Sequence, residues 1–221
     1  MIGVLLVDDH KLVRTGLRLI LEDTTDIRVV GEASTGEEAL ERARSLKPDV
    51  ILMDVSMPGI GGLEATRKLA MGLPDARVIV LSVHTAEPYP MRLLEAGASG
   101  YLTKDCAADE IVSAIRRVHS GERYITAEIA RQMALNSVTR SNSGSPFEQL
   151  SPREMQVMIM VTGGHSQQEI SDKLHLSPKT ISTYRSRLFQ KLGVNNDVEL
   201  TRLALRYGVI EEKSGEKSGA S

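Results

Sequence analysis

Between residue 2 and about residue 120, short β-branched apolar runs alternate with segments whose apolar residues recur at helical spacing. No other feature constrains the fold as strongly. The runs Ile2 to Val7, Ile27 to Ala33, Val50 to Met53, Arg77 to Leu81 and Gly100 to Thr103 read as strands. Leu12 to Glu22, Gly36 to Ser45, Gly62 to Met71, Pro90 to Ala96 and Ala107 to Ser120 read as helices between and after them. Strands that are apolar on both faces need helices on both sides, which is the condition for a parallel sheet.

Five such units predict an α/β, flavodoxin-like (βα)5 domain over residues 1–122, with ligands bound beyond the carboxyl ends of its strands. A helical stretch, Ala127 to Leu135, then runs into the polar segment Asn136 to Ser145, so residues 123–147 read as a linker containing a helix. From residue 148 to 210 the pattern is wholly helical, with helices expected near 152–162, 167–174, 178–191 and 197–207. Ser151 with Glu154 and Ser166 with Glu169 have capping-box spacing, and Pro152 and Pro178 each follow a Ser where a first helical turn tolerates proline. Residues 211–221, rich in Glu, Lys, Ser and Gly, read as a disordered tail.

The chain has 27 Lys and Arg against 29 Asp and Glu, but the first 135 residues are net acidic and residues 146–210 are net basic. One cysteine, Cys106, allows neither an internal disulfide nor a paired-cysteine zinc site, which points to a cytoplasmic, redox-inert protein. The longest apolar runs fall far short of the ~20 residues a membrane span needs. No basic stretch precedes the N-terminal apolar run, so no secretory signal is expected. Seven aromatics without a Trp disfavour a base-stacking platform for single strands.

Asp8 and Asp9 follow the first strand, Asp54 the third, Ser82 the fourth and Lys104 the fifth, so a doubly wound topology brings them to one rim. Paired acids after a strand are by themselves an ordinary turn or helix cap. Three carboxylates with an amine and a hydroxyl form a more specific set. Carboxylate oxygens crowded together call for a hard divalent cation, and Mg²⁺ bridges carboxylate to phosphate. A carboxylate can attack phosphorus to give an aspartyl phosphate while cations neutralise the equatorial oxygens. The five histidines, His10, His84, His119, His165 and His175, share no ligand spacing and read as structural or solvent-facing.

The sequences Val-Asp-Asp-His (7–10), Leu-Met-Asp-Val-Ser-Met-Pro-Gly (52–59), Ser82 and Gly-Tyr-Leu-Thr-Lys (100–104) resemble the receiver domain of two-component response regulators. The resemblance implies that Asp54 is the phosphoacceptor. It implies Mg²⁺ held by Asp9, Asp54 and the Ser56 backbone carbonyl, with Asp8 binding through water. By the same resemblance Lys104 grips the phosphoryl group, Ser82 turns to bond it and Tyr101 swings inward behind. Two departures touch the relay face: Asp105 follows Lys104 where many receivers have proline, and Pro88 and Pro90 delay the fourth helix.

In the C-terminal part, two helices flank the turn His175-Leu176-Ser177 at helix-turn-helix spacing. On the second of them Ile181, Tyr184, Leu188 and Leu192 form an apolar stripe. Lys179, Ser182, Thr183 and Ser186 share the other face, with Arg185 and Arg187 on its flanks. From Lys173 to Lys191 there are five basic residues and no acid. Hydroxyls can read base edges in a major groove while cations hold phosphates.

Leu-Ser-Pro-Arg-Glu (150–154), Gln-Glu-Ile-Ser-Asp-Lys-Leu (168–174), Leu-Ser-Pro-Lys-Thr-Ile (176–181) and Lys-Leu-Gly-Val (191–194) resemble the all-α, four-helix LuxR-type DNA-binding domain. With the receiver, this resembles the NarL/FixJ class and, within it, the GacA/UvrY/SirA subfamily. The class implies base contacts from Ser182, Thr183 and Ser186, phosphate contacts from Lys179, Arg185 and Arg187, and pairing of two copies through the last helix (Val198, Leu203, Ala204, Tyr207). It implies as partners double-stranded promoter DNA, a sensor histidine kinase or its histidine phosphotransfer domain, and a second copy of the chain. The expected function is phosphorylation of Asp54 controlling promoter binding, without enzymatic turnover. A phosphohydrolase of the haloacid dehalogenase type would want an acid two residues after the nucleophile, where Ser56 stands. A helix-turn-helix that grips protein is the other rival.

Overall fold

A computed structural model describes residues 1–83, 89–139, 145–207 and 209–210, with the side chains of residues 135–139 also outside the description. The expectations placed on His84, Pro88, the centre of the polar linker segment and the 211–221 tail therefore lie outside the described residues. The N-terminal part is a parallel sheet of β1 (Ile2–Val7), β2 (Ile27–Ala33), β3 (Val50–Asp54), β4 (Arg77–Ser82), β5 (Gly100–Thr103) and β6 (Tyr124–Ile125). Its strand order is β2-β1-β3-β4-β5-β6. Every residue of β1, β3 and β5 is buried, as strands covered on both faces must be.

The helices α1 (Lys11–Glu22), α2 (Gly36–Leu46), α3 (Gly61–Gly72), α4 (Tyr89–Glu95) and α5 (Ala108–His119) follow the first five strands. On one face, Leu17 and Leu21 of α1 and Ile111, Ile115 and Val118 of α5 pack on Val4, Leu6, Leu52 and Ile79. On the other, Ala39, Ala43, Leu63, Leu69 and Leu93 of α2, α3 and α4 pack on Leu5, Val7, Ile51, Met53 and Val80. Fully burying one such aliphatic side chain contributes roughly 1.5–3 kcal/mol, so these two layers dominate the stability of this half.

The sheet has six strands, not the five expected. Tyr124 and Ile125 pair in parallel with Gly100 and Tyr101. A two-residue strand carries no readable period, which is why it was absent from the pattern. It leads into α6 (Ala127–Thr139), longer than expected at its C-terminus.

The C-terminal helices are α7 (Pro152–Thr162), α8 (Gln167–Leu174), α9 (Pro178–Leu192) and α10 (Asp197–Arg206), preceded by a 3-10 turn at Pro146–Gln149. The capping boxes at Ser151 and Ser166 are formed, and a third, Ser145 with Glu148, starts the 3-10 turn. Phe147 is buried and meets the Tyr207 ring edge-on at 5.8 Å between centroids. Buried Glu154, besides capping α7, bonds Lys191 at 2.6 Å and so ties α7 to α9.

The two halves share one continuous apolar layer. Gln156 Nε2 donates to the Met57 carbonyl at 2.8 Å. Arg153 donates to the Gly59 carbonyl and, at 3.0 Å, to that of Leu174, while Arg92 of α4 donates to the Leu150 carbonyl. α7 is thus bracketed between α4 and the loop joining β3 to α3.

Candidate phosphoacceptor pocket and nucleic-acid interface

Strand order reverses between β1 and β3, and the crevice at their carboxyl ends holds the acidic set. Asp8 directly follows β1, Asp54 is the last residue of β3, and both are about 1% exposed. Gly62 lets the first turn of α3 close down on this edge: a Cβ there would stand 2.2 Å from the Asp54 carbonyl oxygen. Any side chain at that position would force α3 off the strand end.

Lys104, one residue beyond β5, reaches across to Asp8 Oδ2 at 2.7 Å and Asp54 Oδ1 at 3.1 Å. Asp54 Oδ1 also accepts from the Ser56 backbone N–H at 3.2 Å. Asp8 Oδ1 accepts from the His10 backbone N–H at 2.8 Å. Arg14, itself paired with Glu32, donates to the Asp8 carbonyl at 2.6 Å and anchors the rim from α1.

Burial raises the Asp54 carboxyl above its ordinary value; Lys104 opposes this and Asp8 adds to it. Lys104 is itself buried enough to disfavour its charge, yet the Asp54 and Asp8 carboxylates hold its ammonium above the usual range. The pocket is therefore short of positive charge for its carboxylates.

Ligand atoms of Asp8, Asp9, His10 and Asp54 all lie within 4.8 Å of one another. Asp54 Oδ2 and Asp9 Oδ1 are buried without a hydrogen-bond partner among the described residues. Asp9 Oδ1 lies 2.9 Å from His10 Nδ1, but the angle is not that of a hydrogen bond. Two orphaned carboxylate oxygens facing one crevice fit a hard divalent cation.

His10 is a partial correction to the sequence reading. It is solvent-facing, yet its ring nitrogen stands among the carboxylates, and adjacency to Asp8-Asp9 was the only signal. Ser82, the last residue of β4, and Tyr101, the second of neighbouring β5, are both buried, and the Tyr101 ring already lies inside.

The second candidate surface is α9. Ser177 caps it through the Thr180 N–H, His175 closes α8 in the left-handed conformation (φ 52°), and Gly193 closes α9 likewise. Ile181, Leu188 and Leu192 are buried. Lys179, Ser182, Thr183, Ser186 and Arg187 are exposed. Thr183 spends its hydroxyl proton on the Lys179 carbonyl at 3.0 Å, which leaves it an acceptor.

Arg185 is not a freely extended cation. Its Nη2 bonds both carboxylate oxygens of Asp197 at 2.6 and 2.7 Å, tying α9 to the start of α10, while Nε and Nη1 make no hydrogen bond among the described residues. On α10, Val198 is exposed, Leu203 half-buried and Ala204 buried, and Tyr207, which ends the helix, is exposed. Among the described residues no helix is long and apolar enough to cross a membrane.

These two sites on one chain define a response regulator: the chain belongs to that family, its residues 4–116 matching the response regulator receiver domain and 148–204 the bacterial regulatory proteins of the luxR family. It is 56% identical over 214 residues to the response regulator UvrY of Escherichia coli, covering 97% of this chain and 98% of that one. It is 54% identical to the response regulator GacA of Pseudomonas aeruginosa, over 97% of this chain and all of that one. Among solved structures it resembles RcsB of Salmonella enterica serovar Typhimurium bound to a promoter in the presence of the phosphomimetic BeF₃⁻, with a TM-score of 0.66, 28% identity, and 91% of this chain and 97% of that one covered. Another RcsB structure, at a TM-score of 0.58 and 27% identity over 91% of this chain and 96% of that one, holds two dimers on two parallel DNAs.

Proposed function

We propose that Asp54 accepts a phosphoryl group from a sensor histidine kinase or its histidine phosphotransfer domain, and that this modification controls promoter binding by α9. The observation that carries the reading is the convergence on Asp54: Lys104 at 3.1 Å, the Ser56 N–H at 3.2 Å and an orphaned Oδ2, in a crevice with more carboxylate charge than its one ammonium balances.

In this reading Lys104 and the Ser56 N–H fix the Asp54 carboxylate through Oδ1, so that Oδ2 keeps its lone pairs free. Asp9, Asp54 and the Ser56 carbonyl would hold Mg²⁺, with Asp8 supporting them beside Asp9. When bound, the ion neutralises carboxylate and phosphoryl charge. Lys104, whose ammonium already stands 3.1 Å from Asp54 Oδ1, meets the phosphoryl oxygens there, and charge placed in advance costs little reorganisation during transfer.

The product carries about two negative charges, and each charge-assisted hydrogen bond to it contributes roughly 1.5–3 kcal/mol. Two bonds, from Lys104 and Ser82, approach the ~5.5 kcal/mol that moves a switch from 1:99 to 99:1. Because Tyr101 lies inward already, modification holds that position through Ser82 instead of creating it.

At the DNA, Ser182, Thr183 and Ser186 read base edges while Lys179, Arg187 and the free Nε and Nη1 of Arg185 hold phosphates, with Asp197 fixing the guanidinium plane. Exposed Val198 and Tyr207 on α10 meet a second copy, and a two-fold operator would match that pair. The protein works in the cytoplasm and consumes one phosphoryl group per activation without multiple turnover, Ser56 offering no general acid. Residues 1–122 act as the receiver, 123–147 as the connection and 148–210 as the DNA-binding domain.

The test is labelling by acetyl phosphate in Mg²⁺. The wild-type chain takes up one phosphoryl group and Asp54→Ala takes up none; retained labelling would move the acceptor elsewhere.

A further inference from the structure

We propose that the docked C-terminal helices sort phosphodonors by size. They admit a small anionic donor, an acyl phosphate or phosphoramidate, to Asp54, and they exclude a phosphohistidine carried on a protein helix until the dock opens. The inference rests on the phosphoacceptor reading above and names the substrate class of each state.

A cavity of about 720 Å³ lies between the two halves. Asp9, His10, Ser56 and Met57 of the phosphoacceptor rim line one side of it. Gly163, Gly164, His165 and Lys173, from the turn between α7 and α8 and from α8 itself, line the other. The rim and the DNA-binding helices thus border one partly open space, which reaches the phosphoacceptor rim at Asp9 and Ser56, the chain neighbours of Asp8 and Val55 beside Asp54.

A helix with its side chains is about 10–12 Å across, and α7, α8 and the turn between them already stand opposite the rim, so no helical bundle can present a histidine there while the dock holds. A small phosphodonor has room to spare. Among the described residues Asp9 is the only acid of the lining, and Lys173 faces the space with His165 Nε2 as its hydrogen-bond partner, at 2.9 Å. An anion therefore meets a cation on the side opposite the carboxylates.

The dock is held at identifiable points. Gln156 holds the Met57 carbonyl and Arg153 the Gly59 carbonyl, both in the loop that follows Asp54. Arg92 holds Leu150 on the far side of α7. None of these three side chains touches the reacting atoms, so they position the domains and do not take part in transfer.

The chemistry is the same for both donors. An Asp54 carboxylate oxygen forms the bond to phosphorus as the bond to the leaving group breaks, P–N in phosphoramidate and phosphohistidine, P–O in an acyl phosphate. The leaving atom takes that electron pair, as ammonia from N-protonated phosphoramidate, as neutral imidazole from a protonated phosphohistidine, or as a carboxylate from an acyl phosphate. Only access differs. A donor that reacts solely with the open fraction is slowed by that fraction, whereas a donor that uses both states is not.

The test compares the wild-type full chain with R153A/Q156A, and with Q156A alone as a milder opening, in Mg²⁺. Each is labelled by phosphoramidate and by a phosphorylated histidine phosphotransfer domain of a sensor kinase. The double variant should gain about tenfold or more with the protein donor and change by less than about twofold with phosphoramidate, Q156A falling between. Unchanged phosphoramidate labelling also shows that the pocket is folded. Equal gains with both donors, or no gain with the protein donor, would overturn the proposal. Absence of label on Asp54 from either donor in any of the chains would instead overturn the phosphoacceptor reading.

Discussion

The pocket around Asp54 and the outer face of α9 solve opposite problems. The pocket gathers residues from three strand ends, buries them and holds their charges in conflict. The α9 face takes residues within eight positions of one another and leaves them in solvent. A buried set draws its strength from low dielectric and fixed geometry, and it fails sharply when one member is lost. An exposed set works by summing many weak contacts, and it fails gradually. The comparison teaches where single substitutions should be decisive and where they should only grade a response.

Removing the cation should break the pocket hardest. Lys104→Ala takes away the preorganised charge beside Asp54 and should slow labelling by acetyl phosphate ~10²- to 10³-fold, read as initial rate at saturating Mg²⁺. A loss of less than about tenfold would make Lys104 a structural partner of Asp8 only. On the α9 side, Ser182→Ala or Ser186→Ala should relax discrimination at one base pair by about 1–3 kcal/mol, read by competition between selected and singly altered duplexes. Equal losses on all sequences would place these hydroxyls on the backbone.

Next comes the tie that holds α9 in place. Lys191→Met leaves buried Glu154 without its cation and should cost about 1.5–3 kcal/mol of stability, measured by denaturant unfolding of the full chain. Arg187→Ala should reduce affinity on every duplex and shallow the salt slope by about 0.9. An unchanged slope would remove Arg187 from the interface.

The smallest effect concerns charge in the pocket. A carboxyl whose value is raised by folding favours the folded state below its unfolded value, and that contribution is lost as pH rises through its folded value. Without metal, Asp54→Asn should therefore be more stable than wild type at neutral pH, and the gap should narrow as the medium is acidified through the carboxylate range. Mg²⁺ should narrow it too, by binding the wild-type pocket more tightly. A variant that is less stable at neutral pH would mean that Lys104 outweighs burial.

The sequence made the sheet legible because each strand is an apolar run bounded by a helix of clear period, and the strand-end placement of Asp8, Asp54 and Lys104 follows from that topology. It did not reveal Tyr124–Ile125, which is too short to show a period and joins the sheet only because its backbone can pair with β5. The capping boxes at Ser151 and Ser166 were readable from spacing; the one at Ser145 lay at the edge of a polar segment.

The face of α9 was readable from helical period alone. The Arg185–Asp197 pair was not, since it joins residues on two helices whose crossing no local pattern encodes. For the same reason no local pattern marked Arg92, Arg153 and Gln156 as contacts between the halves, though burial partly desolvates the first two.

The most direct test joins the two regions. The full chain, wild type and Asp54→Asn, is titrated onto a duplex selected from random DNA by the chain itself, with Mg²⁺ and with or without BeF₃⁻. The account predicts that BeF₃⁻ tightens wild-type binding about fivefold or more and leaves Asp54→Asn unchanged. Equal tightening of both chains, or none in the wild type, would contradict it.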